Sequence, residues 1–103
     1  MLNICLVGGL GRMGKAICSV AQKSNDTRIV SVWEAAEAMK GVSDFAHHSG
    51  YTKNQVLLTS QGEEAVSRAD VILDFSAPDA FEMIVSVCEE LSKPLVTGTT
   101  GIA

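Results

Sequence analysis

The feature that most constrains this chain is its opening, Met1-Leu-Asn-Ile-Cys-Leu-Val-Gly8-Gly-Leu-Gly11-Arg-Met-Gly14. An apolar run, broken only by Asn3, passes straight into three-spaced glycines, and a helical pattern starts at Arg12. Such a chain brings a strand end, a turn of backbone N–H groups and a helix N-terminus to one point, which is what a pyrophosphate requires. The glycines read either as Gly8-x-x-Gly11-x-x-Gly14 or as Gly9-x-Gly11-x-x-Gly14. A turn glycine permits positive φ and close approach to phosphate, while Gly14 lets the helix pack tightly on the strand. The alternative is a strand–helix turn of purely structural purpose. Context favours the binding reading, because Glu34 closes a second apolar run twenty residues after Gly14, where a ribose-binding acid belongs.

The rest of the chain alternates strands and helices. Strands are expected at Leu2–Val7, 28–33, 56–59, 71–75 and Leu95–Thr97. Met13, Ala16, Ile17, Val20 and Ala21 recur at helical spacing until Ser24-Asn25-Asp26, and Phe81, Ile84, Val85, Cys88 and Leu91 mark a second helix face. Pro78 suits a first helical position, since its missing N–H is not needed there. Residues 35–55 are less regular and read as a loop with a short helix, and 63–67 as a helical turn or two. The pattern predicts right-handed βαβ units: an α/β, Rossmann-type, doubly wound parallel sheet of about five strands in the order 3-2-1-4-5. A complete fold of this kind continues to a sixth strand, so 1–103 is expected to be one dinucleotide-binding domain and a fragment.

Composition narrows the partners. With 103 residues, 47% of them apolar, the chain can bury a single small core. A net charge of −4 with no basic run argues against nucleic acid or an anionic membrane. Leu2–Val7 is too short to span a bilayer and no basic segment precedes it, so the expected location is the cytoplasm. Cys5, Cys18 and Cys88 form no C-x-x-C pair and read as buried free thiols in a reducing compartment.

Several residues could carry chemistry. Gly8, Gly9, Gly11 and Gly14 make the candidate phosphate turn, with Arg12 either supplementing the helix dipole or solvated. Glu34 is placed for the adenosine ribose hydroxyls, the alternative being a solvated acid at a strand end. A carboxylate there repels a 2′-phosphate, and the first cation after it is Lys40, which favours NADH over NADPH. Phe75 and Ser76, at the end of the fourth strand, would border the cofactor; Gly98, Thr99 and Thr100 would lie near the nicotinamide ribose. Both segments also suit ordinary turns. Trp33 reads as a core-edge aromatic that could flank the adenine. His47 and His48 read as a surface-loop pair, since adjacent residues rarely share a metal and no ligand cluster accompanies them; no metal site and no catalytic residue is expected in the chain.

These segments together resemble the N-terminal domain of the 4-hydroxy-tetrahydrodipicolinate (dihydrodipicolinate) reductase family. The resemblance rests on Val7-Gly-Gly-Leu-Gly-Arg-Met-Gly14, Asp74-Phe-Ser-Ala-Pro78 and Val96-Thr-Gly-Thr-Thr-Gly101, in the family's order along the whole chain. It implies a parent enzyme of diaminopimelate and lysine biosynthesis that transfers hydride from NADH or NADPH to a cyclic dihydropyridine. It also implies a pyrophosphate held by residues 8–13, a ribose held by Glu34, and a nicotinamide approached by Gly98, Thr99 and Thr100. Many members carry arginine after the acid, where this chain has Ala35. The family's His-His pair, its lysine and its tetramer interface belong to a C-terminal domain outside this sequence, and His47-His48 is not that pair. The small-molecule substrate is therefore expected to meet only the full-length homotetramer, and the 103-residue piece to bind cofactor without turnover. The alternatives are another dehydrogenase of aspartate or homoserine type, and a non-catalytic nucleotide-sensing module.

Overall fold

The structure, a computed structural model, describes residues 1–98. Five strands form one parallel sheet: β1 (Leu2–Val7), β2 (Thr27–Trp33), β3 (Leu57–Thr59), β4 (Val71–Asp74) and β5 (Leu95–Thr97), in the order β3-β2-β1-β4-β5. The expected topology is the observed one. Its central strand, β1, is the most continuous apolar run near the N-terminus, as a strand covered on both faces must be. Alternation along β1 splits the core in two. Ile4 and Leu6 face the layer of α1 (Arg12–Lys23) and α3 (Phe45–Ser49), packing with Cys18, Ile29, Phe45 and Tyr51. Cys5 and Val7 face α4 (Gly62–Ser67) and α5 (Phe81–Glu90), packing with Val66, Ile72, Ile84 and Cys88.

Register matters most for function. Val7 lies opposite both Trp33 and Asp74, Trp33 lies opposite Thr59, and Asp74 opposite Thr97. All five strands therefore end level, in the row Thr59–Trp33–Val7–Asp74–Thr97, and the described residues that directly follow each strand gather at one carboxyl edge. A bulge between Ile4 and Cys5 in the β1–β2 pairing leaves Val30 as the extra residue.

The segment 35–55, expected to be mostly loop, contains two short helices, α2 (Ala36–Met39) and α3. Capping rather than periodicity makes α3. Asp44 accepts the Ala46 N–H at 3.1 Å, and Gly50 closes the end at φ 79°. Just beyond it, Tyr51 and Asn54 serve β2 before β3 begins. The Tyr51 hydroxyl accepts the Ile29 N–H (3.0 Å) and donates to Asn54 Oδ1 (2.6 Å), while the Asn54 amide donates to the Ile29 carbonyl (2.8 Å). Two side chains thus replace a strand. Lys53 caps α1 in the same way, its Nζ donating to the carbonyls of Ala21, Ser24 and Thr27.

The buried face of α1 departs from the expected one. Gly14, Cys18 and Ala21 are buried, whereas Met13 and Val20 are 54% and 71% exposed and Ala16 is also exposed. A Cβ on Gly14 would fall on the Gly9 carbonyl, so the helix rolls its glycine, not its larger apolar neighbours, against the turn. A 3-10 turn at Pro78–Ala80 leads into α5, and β4 ends at Asp74 rather than Phe75.

Candidate functional site

The site is built where β1 meets α1. Gly8 leaves the strand at φ +76° and donates its N–H to the Trp33 carbonyl at 3.0 Å. A Cβ on Gly8 would stand 3.0 Å from the Ser76 nitrogen and 3.1 Å from Phe75 C and Ser76 Cα. The turn therefore needs glycine for its handedness and for the backbone running past it. Gly9 is pinned below, where a Cβ would meet Leu6 Cβ and Val32 Cγ1 at 3.0 Å. Gly11 differs from both: among the described residues nothing lies within 4 Å of its Cβ direction. It is the N-cap of α1 and has no side chain to cap the first N–H groups, and no acid occupies the first turn. Arg12 and Met13, the next two residues, are exposed.

Glu34, at the end of β2, reaches across to this turn. Its Oε2 accepts the Leu10 N–H at 3.4 Å and its Oε1 the Ala35 N–H at 3.2 Å, while its own N–H donates to the Thr59 carbonyl. The carboxylate is half-buried and already oriented toward the glycine turn. Beside it, Trp33 is 6% exposed, its indole lying over Gly62, where any Cβ would collide with the ring. A cleft of about 400 Å³ opens over the ends of β1, β2 and β4. Trp33, Glu34, Ala35, Ser76, Asp79 and Met83 are among the residues that line it. A larger groove of about 750 Å³ lies apart, between the 39–46 segment and β3; it shares no lining residue with the cleft, which adjoins the glycine turn through Val7, Glu34 and Ser76.

The third wall is organised by a buried acid. Asp74 is fully inaccessible and accepts the Ser76 N–H (2.8 Å), the Ser76 hydroxyl (2.5 Å) and the Thr97 hydroxyl (3.3 Å). Its carbonyl accepts the Gly98 N–H at 2.7 Å, and a Cβ on Gly98 would stand 2.6 Å from the Phe75 ring. One carboxylate thus ties the ends of β4 and β5 together and holds Ser76 against Gly8.

The structure therefore brings Gly8, Phe75, Ser76 and Gly98 into one contiguous wall, and Leu10 and Glu34 into another. Thr99 and Thr100 lie outside the described residues. Sequence reasoning missed the role of Asp74, whose signal was an Asp-x-Ser turn at a strand end. It also missed Ala77, Asp79 and Met83 as cleft walls, while Trp33 is the core-edge aromatic expected, buried in the core and lining the cleft. The surface-loop reading of the histidine pair needs correction. Both residues are helical, and while His47 is exposed, the His48 ring is half-buried against the Leu10 carbonyl at 2.9 Å.

Five level parallel strands, a glycine turn after the first and an acid after the second define a Rossmann-type nucleotide-binding domain. The chain belongs to the family described as "Dihydrodipicolinate reductase, N-terminus", whose model matches residues 2–103. It is 31% identical over 103 residues to the 4-hydroxy-tetrahydrodipicolinate reductase of Pseudoalteromonas atlantica, covering 99% of this chain and 38% of that protein. Among solved structures, it resembles a dipicolinate-bound dihydrodipicolinate reductase from Paenisporosarcina sp. TG-14. There the TM-score is 0.74 and the identity 21%, over all of this chain and 39% of the other. It also resembles an imine reductase variant from Myxococcus stipitatus in complex with NAD+, with TM-score 0.66 and 26% identity over 98% of this chain and 33% of the other. The chain spans about 38% of the length of the curated relatives it matches, and those relatives are named as reductases.

Proposed function

We propose that residues 1–103 form the cofactor-binding domain of a 4-hydroxy-tetrahydrodipicolinate reductase. In this reading the parent enzyme reduces a cyclic dihydrodipicolinate precursor to tetrahydrodipicolinate in diaminopimelate and lysine biosynthesis, as a homotetramer in the cytoplasm. The observation that carries the reading is the pairing of the uncapped α1 N-terminus at Gly11 with the Glu34 carboxylate on the same turn. Residues 8–13 would hold the pyrophosphate through backbone N–H groups, and Glu34 would exchange its bond to Leu10 for the ribose hydroxyls. Phe75, Ser76 and Gly98, followed by Thr99 and Thr100, would border the nicotinamide end. When bound, the dinucleotide supplies the hydride; the protein supplies orientation.

NADH is the favoured cofactor. Glu34 is followed by Ala35 and Ala36, and the first cation, Lys40, is paired with Glu37 at 3.1 Å. A 2′-phosphate would meet a carboxylate there with no cation from that segment to offset it. Calorimetric titration tests this: NADH should bind about tenfold more tightly than NADPH, a difference of about 1.4 kcal/mol. Ala35→Arg should narrow or reverse the ratio. Equal or tighter NADPH binding by the wild-type chain would overturn the assignment.

A further inference from the structure

The backbone of Leu10 is held on both sides, through the Gly9–Leu10 peptide and through the Leu10–Gly11 peptide. Its N–H donates to Glu34 Oε2 at 3.4 Å, and its carbonyl lies 2.9 Å from His48 Nε2. A carbonyl oxygen only accepts, so Nε2 must carry the proton. The Leu10 side chain packs into the core layer that holds Cys18, Phe45 and Tyr51.

This grip acts on the least constrained residue of the turn. Among the described residues no atom lies within 4 Å of a Cβ built on Gly11, so side-chain packing does not set the orientation of the peptide before it. In a trans peptide the Leu10 C=O and the Gly11 N–H point in opposite directions. Holding the carbonyl on α3 therefore turns the Gly11 N–H away from α3, to the exposed side of the turn where α1 begins. A peptide flip would reverse this and present an oxygen to an incoming anion.

The histidine is itself well placed to hold. Its own N–H donates to the Asp44 carbonyl at 3.0 Å, and the next residue, Ser49, donates its hydroxyl to the Phe45 carbonyl at 2.8 Å. Phe45 is buried, anchoring α3 to the core. His47, one residue earlier, is exposed and shares none of this.

We propose that His48 is a positioning residue of the phosphate turn: by holding the Leu10 carbonyl it presents the Gly11 N–H to the dinucleotide pyrophosphate. The proposal rests on the cofactor reading above. Its test compares His48→Leu, which removes the donor, with His48→Gln, whose amide keeps one. NADH affinity should fall about tenfold in His48→Leu, the worth of one well-placed hydrogen bond. In His48→Gln it should stay within about threefold of wild type, by the same scale. The Gly11 amide resonance in a 1H–15N spectrum should move in the leucine variant and return in the glutamine variant. Wild-type NADH affinity in His48→Leu, with an unmoved Gly11 resonance, would overturn the role of His48 and leave the cofactor reading standing. Failure of the wild-type chain to bind NADH or NADPH would overturn both. Should the leucine variant not fold, long-range 15N correlations on wild-type His48 decide: a proton on Nε2 supports the clamp and a proton on Nδ1 overturns it.

Discussion

The glycines of the turn are not equivalent, and their differences separate stability from binding. Gly8 sits at positive φ against the Ser76 backbone. Gly8→Ala should therefore cost at least about 2 kcal/mol of folding stability, measured by urea denaturation, through left-handed strain and crowding together. Gly11 has open space around it. Gly11→Ala should stay within about 1 kcal/mol of wild type, the scale of an N-cap exchange. Under the proposed function it should nevertheless lose NADH affinity, because its methyl group would stand where that reading brings a phosphate. A stability loss in Gly11→Ala as large as in Gly8→Ala would contradict this division. The spacing of the glycines was visible in the sequence; which of them answers to packing was not, since that depends on Ser76 and Val32, far away in the chain.

At the scale of elements, legibility followed the source of stability. Strands β1, β2 and β4 were readable because burial on both faces demands continuous apolar runs. The 35–55 segment was not, because α2 and α3 have little periodicity and α3 is fixed by the Asp44 and Gly50 caps. Tyr51 and Asn54 then substitute for a strand, through bonds no local pattern announces. Tyr51→Phe should leave the Ile29 N–H without its acceptor and cost about 1–3 kcal/mol, read as a lower urea midpoint with an unchanged slope. A midpoint equal to wild type would show that the hydroxyl is dispensable. The α1 face was misread for a related reason. Hydrophobicity pointed to Met13 and Val20, but the close approach of Gly14 to Gly9 decided the roll of the helix.

At the scale of the molecule, both core layers bury a thiol. Burial pushes Cys5 and Cys18 up to about 11 from an ordinary 9.0, with the neighbouring polar side chains of Ser31 and Ser49 opposing in part. The folded state holds these protons more tightly than the unfolded chain. Their stabilising effect is therefore complete below pH 9 and is lost as pH rises toward 11. For Cys5 alone the decline amounts to about 2–3 kcal/mol. Urea denaturation from pH 8 to 11 should show it, and Cys5→Ala should show a shallower alkaline decline than wild type; an identical slope would remove the thiol from the explanation.

The central claim, that the level carboxyl edge of this sheet seats a dinucleotide, can be read from the protein's own tryptophan. Trp33 is the chain's single tryptophan and lines the cleft beside Glu34. On titration with NADH its emission should fall saturably as nicotinamide emission rises by energy transfer. The midpoint should lie between about 1 μM and 1 mM, the usual range for such sites, and should move upward in Gly11→Ala. Tryptophan emission unchanged through about 1 mM NADH and NADPH, beyond that range, would contradict the account.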